Sequence, residues 1–279
     1  MNQTIFLLLG VLGLAGIGSL VASNDDDHAP DQPPDDPYGG REVIEGTDEA
    51  DTIEGTGGDD AIQSYAGDDS VDAGAGDDLV WTGYGDDTVS ADAGDDEIYL
   101  GYDDDVYGGL DLGADEGNDT IDGGYGDDTI TVNLGDHSIT GGDGDDSITD
   151  NGGTVYVDGG DDDDVILSSD DSTLDAQDTL LGGDGDDTIY AGGNDSVDGG
   201  DGSDLIVISN AVSAAVDIAY DNSDDITLSV PADYSGDDEA DLVQDGDDVQ
   251  VVLNGQVLAV LRDTEVANVG TITVERASA

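Results

Sequence analysis

From Ile44 onward one apolar residue returns every nine positions. The series runs Ile44, Ile53, Ile62, Val71, Val80, Val89, Ile98, Tyr107, resumes at Ile121, Ile130, Ile139, Ile148, Val157, Ile166, and ends with Leu180, Ile189, Val197, Ile206. Each apolar residue and its two neighbours alternate in and out as a strand does. The six residues between them are rich in Gly and Asp, which is turn chemistry. Short strand plus turn, repeated at a fixed period, predicts an all-β solenoid with a thin core. The period lengthens from nine to fourteen at 107 to 121 and again at 166 to 180, and shortens to eight at 189 to 197. Asp103-Asp104-Asp105-Val106 recurs as Asp162-Asp163-Asp164-Val165 close to the two insertions, which predicts duplication of a larger unit.

The flanks follow other rules. Ile5 to Ala22 is an apolar stretch of 18 residues with no Lys or Arg before it, and reads either as a membrane anchor or as an atypical signal peptide with Val21 and Ser23 as the small residues before a cut. Both readings place the chain extracellularly or at the cell surface. Residues 23–40 hold four of the five prolines amid six Asp, an extended solvated linker. The map is therefore a hydrophobic segment at 1–22, a linker at 23–40, the repeats at 41–206 and a capping β segment at 207–279. Within that cap, Asp225 to Val230 and Asp248 to Leu261 alternate and are expected to pair antiparallel, with Asn254-Gly255 as a hairpin turn.

Charge removes one class of partner. The formal net charge is -68 with only three Lys or Arg, so nucleic acid is repelled. Only nine of the 71 acidic residues are Glu, and Asp is the residue of turns and hard-cation sites. Without cysteine there is no disulfide, thiolate metal site or Cys nucleophile. No His-Glu-x-x-His, Gly-x-Ser-x-Gly or phosphate-loop lysine occurs, and the repeats leave no room for an enzyme domain.

The cleanest unit is Gly123-Gly124-Tyr125-Gly126-Asp127-Asp128-Thr129-Ile130-Thr131, matched by Gly141 to Thr149, Gly182 to Tyr190 and Gly199 to Val207. It resembles the repeat of the RTX family, whose nonapeptide binds Ca²⁺ in a parallel β-roll. The resemblance spans about 44 to 206. It implies an exported bacterial protein of structural or adhesive role that folds on binding several Ca²⁺ ions, with a surface glycan or protein as target and a type I secretion apparatus as a further partner. The alternative is a secreted glycan-active enzyme working through carboxylate pairs.

In the family two nonapeptides make one rotation, so turns eighteen residues apart stack and share calcium. Sorted in that way, one edge carries Asp51, Asp69, Asp87, Asp105, Asp128, Asp146, Asp164, Asp187 and Asp204 as ligands. The other reads Glu42, Asp60, Asp78, Asp96, Asp119, His137, Val155, Asp178 and Asp195, and takes both insertions and the deletion. Calcium is expected to be missing at the adjacent rungs His137 and Val155. Tyr84, Tyr102 and Tyr125 occupy one turn position on successive rungs, where they cover the turn backbone or stack a sugar or partner. Carboxylates one strand spacing apart, about 4.8 Å, repel by roughly 3 kcal/mol at an effective dielectric of 20. A ladder of them in a chain without Lys is expected to stay unfolded until divalent ions intervene.

Overall fold

The computed structural model describes residues 38–108, 117–168, 177–209, 214–236 and 239–276. The apolar stretch Ile5 to Ala22, most of the linker, and the insertions at 109–116 and 169–176 lie outside them. No helix among the described residues is long and apolar enough to cross a membrane.

Successive strands alternate between two sheets. The first takes Glu42–Glu45, Asp60–Ala66, Leu79–Tyr84, Glu97–Tyr102, Thr120–Tyr125 and so on to Ser196–Asp201 and Val216–Ala219. The second takes Thr52–Thr56, Ser70–Gly74 and their successors through Leu205–Ser209 to Asp225–Val230 and Ile272–Arg276. Apart from the antiparallel pairs near the carboxy terminus, neighbours run parallel, so the fold is a parallel β-roll with two nonapeptides to a rotation.

The apolar residues set the register. Ile44 stands beside Ile62, Ile62 beside Val80, and Val80 beside Ile98. In the second sheet Ile130 stands beside Ile148 and Ile148 beside Ile166. Register holds across both insertions, where Ile98 meets Ile121 and Val157 meets Leu180, and across the deletion, where Leu180 meets Val197. A one-residue slip would turn each inward residue to solvent, so turns absorb every change of length. Ile62, Val80, Ile98, Ile139, Leu180 and Ile206 are fully buried.

The expected antiparallel pairing of Asp225 to Val230 is corrected by the structure. That strand lies parallel to Leu205–Ser209, and Val216–Ala219 lies parallel to Ser196–Asp201. The roll thus runs one rotation beyond the last nonapeptide. Ile226, Leu228 and Val230 still alternate inward, and the open parallel edge supplies the template. The expected hairpin does form. Asp248–Leu253 and Gln256–Leu261 pair antiparallel about Asn254 and Gly255, whose φ values of 52 and 80° are those of a type I′ turn. Gln256–Leu261 joins Val216–Ala219 in parallel, so the antiparallel segment covers an otherwise open edge of the first sheet. Arg262 grips Asp217 and reaches Asp248 Oδ2 at 3.0 Å, pinning that segment to the roll.

Candidate metal centre

The strands leave the first sheet through one row of turns and return from the second sheet through another. On the first row the last Asp of each turn is bonded to the next rung. The amides of Asp51, Asp69, Asp87, Asp105, Asp128, Asp146, Asp164 and Asp187 donate to Oδ1 of Asp69, Asp87, Asp105, Asp128, Asp146, Asp164, Asp187 and Asp204, at 2.7–3.0 Å. One oxygen of each carboxylate therefore belongs to the scaffold. On the second row the ladder runs from Asp60 through Asp78 and Asp96 to Asp119, then to His137, whose Nδ1 accepts the Asp119 amide at 3.1 Å. It breaks at Val155, whose amide donates to Asp178 Oδ1, and resumes from Asp178 to Asp195.

The other oxygen separates these residues. Oδ2 is buried and has no hydrogen-bond partner among the described residues in Asp69, Asp78, Asp87, Asp105, Asp128, Asp146, Asp164, Asp187 and Asp204. In five others it is taken. Asp51 Oδ2 accepts the amide of Thr47, Asp60 that of Thr56 and Asp195 that of Gly192. Beside the two insertions, Tyr107 Oη donates to Asp119 Oδ2 and Ser168 Oγ to Asp178 Oδ2. At His137, with Nδ1 accepting, the neutral ring carries its proton on Nε2, so a buried donor without a partner among the described residues stands where the second oxygen would be.

The first residue of each turn faces the same interior space. A methyl group placed on Gly141 would stand 2.2 Å from Asp146 Oδ2 and 2.4 Å from the Gly159 carbonyl oxygen of the next rung. On Gly159 it would stand 2.2 Å from Asp164 Oδ2 and 2.4 Å from Gly182 O, and on Gly182 2.2 Å from Asp187 Oδ2 and 2.3 Å from Gly199 O. Gly123 repeats the arrangement with Asp128 Oδ2 and Gly141 O, each at 2.4 Å. Carbon does not fit there. Calcium takes oxygen ligands, carboxylate and carbonyl alike, so these donors suit it in kind. Among the described residues no three acidic or histidine side chains converge on one point, so backbone carbonyls would have to complete the shell.

Burial acts against the charge of these acids. It pushes the carboxyl of Asp164 up to about 8, that of Asp146 to about 7 and those of Asp128 and Asp187 to about 6, with neighbouring aspartates adding and the amide of the preceding rung opposing. Asp105, in the same row, is raised to about 8.

Two features escaped the sequence reading. Asp224 continues the first row, since its strand aligns Asp225 with Leu205, and its carboxyl is raised to about 6 by burial and by Asp204. The first Asp of each Asp-Asp pair has its own task. Asp104, Asp127, Asp145 and Asp163 accept, through Oδ1, the amides of Asp127, Asp145, Asp163 and Asp186 at 2.7–3.1 Å. The two ladders run in opposite directions along the turns, and the repeated dipeptide was the available signal.

Tyr84, Tyr102 and Tyr125 stack with centroids 4.7 and 4.9 Å apart and planes within 10°. Their inner faces cover one another, so the stack presents ring edges and is no platform for a row of sugars.

The RTX calcium-binding nonapeptide repeat matches the chain in four copies, over residues 45–80, 81–111, 114–136 and 172–206. No curated protein matches. Among solved structures, the extracellular lipase LipA from Serratia marcescens is similar over 85% of this chain at 15% identity and a TM-score of 0.20. This chain covers 40% of that one, and a likeness of that degree carries no argument about activity.

Proposed function

Because the chain belongs to the RTX calcium-binding nonapeptide-repeat family, we propose that it is an exported structural or adhesive module whose roll assembles on Ca²⁺. The observation that carries this reading is the pairing of a buried, unpartnered Oδ2 with the carbonyl of the following rung, as at Asp146 and Gly159. Asp128, Asp146, Asp164 and Asp187 would hold the ions together with the carbonyls of Gly141, Gly159, Gly182 and Gly199. Calcium when bound supplies the positive charge that this Lys-free chain lacks. The residues do the rest: Oδ1 locks each turn to the previous amide, and the glycines keep the space between rungs clear of side chains.

In this role the carboxylates work in scaffolding and not in catalysis. Affinity is expected in the range of extracellular calcium modules, about 10⁻⁴ to 10⁻³ M, which keeps the calcium-held rungs unfolded before export and folded after it. Far-UV circular dichroism at low salt, with chelator and with millimolar Ca²⁺, tests the reading. A large gain of β signal on adding Ca²⁺ is expected, and equal β content in both conditions would falsify it. Fractionation of cells expressing the chain with and without residues 1–22 tests the address.

A further inference from the structure

One column of inward positions runs the length of the first turn row: Gly46, Ser64, Thr82, Leu100, Gly123, Gly141, Gly159, Gly182 and Gly199. These are the positions that border the Oδ2 atoms and the next-rung carbonyls described above. From Gly123 onward the column is bare. Before it, side chains fill the column: Ser64, Thr82 and Leu100 are all fully buried.

Two of those side chains occupy the ligands themselves. Ser64 Oγ donates to the Thr82 carbonyl at 3.0 Å, and Thr82 Oγ1 donates to the Leu100 carbonyl. These carbonyls hold the same place as Gly141 O and Gly159 O in the bare half. A neutral hydroxyl thus bridges the rungs there, and at the next rung the fully buried Leu100 takes the column position aligned with Gly123. Outside the column, Trp81 stacks on Tyr99 with centroids 6.1 Å apart, and the stack of Tyr84, Tyr102 and Tyr125 clamps the same rungs. After Tyr125 the tyrosine column becomes Asp143, Asp161, Asp184 and Asp201, which add charge and no packing.

The second turn row is closed as well. Its corresponding inward residues include Ala73, Ala91, Val132, Asp150 and Ala191, all buried, and Ser168, which caps Asp178. Its one glycine among the described residues is Gly55, where an added methyl would meet the Ala73 carbonyl, and Asp60 Oδ2 in the following turn already holds the Thr56 amide. Gly46 borders Asp51, which is closed by Thr47 in the same way.

We infer that the roll is divided: ions hold the rungs from Gly123 to Asp204, at the four spaces between Gly123 and Gly141, Gly141 and Gly159, Gly159 and Gly182, and Gly182 and Gly199. Side chains hold the rungs from Ile44 to Tyr107, which bind no calcium in their turns. The amino-terminal half is then a preformed edge on which the carboxy-terminal half is laid down as calcium arrives. The inference rests on the reading above and narrows it. The family match takes in parts of both halves, leaving out 137–171, so a match to the repeat does not distinguish them, whereas the inward first residue of each turn does.

The full chain is tested by hydrogen exchange in chelator and in Ca²⁺, together with ion counting by equilibrium dialysis against excess Mg²⁺, which suppresses loose counterions. In chelator, amides of Asp60–Ala66, Leu79–Tyr84 and Glu97–Tyr102 are expected to stay protected while those of Ser138–Asp143 through Leu205–Ser209 exchange freely. In Ca²⁺ both halves are protected and four ions are bound. Gly182→Ala is expected to remove at least one ion. Thr82→Ala is expected to keep all four and to weaken protection of the amino-terminal half in chelator. Calcium binding with loss of protection in both halves together, or a Thr82→Ala chain that binds fewer ions, overturns the division and leaves the calcium reading standing. A chain that binds no calcium overturns both.

Discussion

Asp128 and Asp146 are eighteen residues apart in the chain and one hydrogen bond apart in space, the Asp128 amide donating to Asp146 Oδ1 at 2.8 Å. The second oxygen of Asp146 is turned away from that bond and buried without a partner among the described residues. One carboxylate thus has two separable oxygens, Oδ1 held in the scaffold and Oδ2 left for the ligand role proposed above.

The two acids of one dipeptide are expected to respond differently to amidation. Asp145→Asn keeps the Oδ1 acceptor for the Asp163 amide, removes one charge, and should leave ion number and affinity unchanged. Asp146→Asn keeps the acceptor for Asp128 but presents an amide group to the Gly159 carbonyl. Calcium affinity at that rung should fall roughly tenfold or more, about 1.4 kcal/mol. Isothermal titration of both variants checks this, and equal losses would sink the division of duties.

His137→Ala is expected to cost stability without costing an ion. It strips the buried Asp119 amide of its acceptor, a loss of about 1–3 kcal/mol. His137→Asp restores an acceptor and should recover most of that. Urea unfolding at saturating Ca²⁺, read beside the ion count, separates the two effects; a drop in ion number for His137→Ala would make the imidazole a ligand.

The metal-free roll should be more stable in acid than in base. Asp146 and Asp164 have folded pKa values raised to about 7 and 8 by burial, above the unfolded value of about 3.9. For a group shifted upward, its stabilising contribution is fully present below the unfolded pKa and is lost as pH rises through the folded one. In chelator, structure should therefore be greater at pH 5 than at pH 8. Protons also compete with Ca²⁺ for Oδ2, so the calcium midpoint should rise as pH falls. Circular dichroism titrations at the two pH values decide it, and chelator-treated protein with more structure at pH 8 than at pH 5 would contradict the assignment.

Arg262→Ala should loosen the carboxy-terminal segment by about 1 kcal/mol, a scale set by exposed ion pairs, lowering Tm by about 2–4 °C in Ca²⁺. Arg262→Lys should recover only part, since a point charge cannot grip Asp217 with two parallel bonds. Thermal melts at low salt and in 1 M NaCl check this, the difference between Arg262 and Ala shrinking in salt.

The nine-residue period was enough to place the strands of the repeats, their inward residues and the two turn rows, because periodicity is local and register in a parallel roll follows whichever face must be buried. Residue counting also placed His137 and Val155 at one interruption of the second row. The sequence reading treated Asp51, Asp69 and Asp146 as equal ligands, since each ends a turn with the same residue. Tertiary structure made them unequal: Thr47 closes Asp51, Ser64 fills the space beside Asp69, and bare glycines surround Asp146. It also carried Asp225–Val230 into the roll as a parallel strand, although no nonapeptide turn announces it. A carboxylate's availability depends on the atom that meets its second oxygen, and that atom can come from its own turn or from a rung eighteen or more residues away, which no local pattern reports.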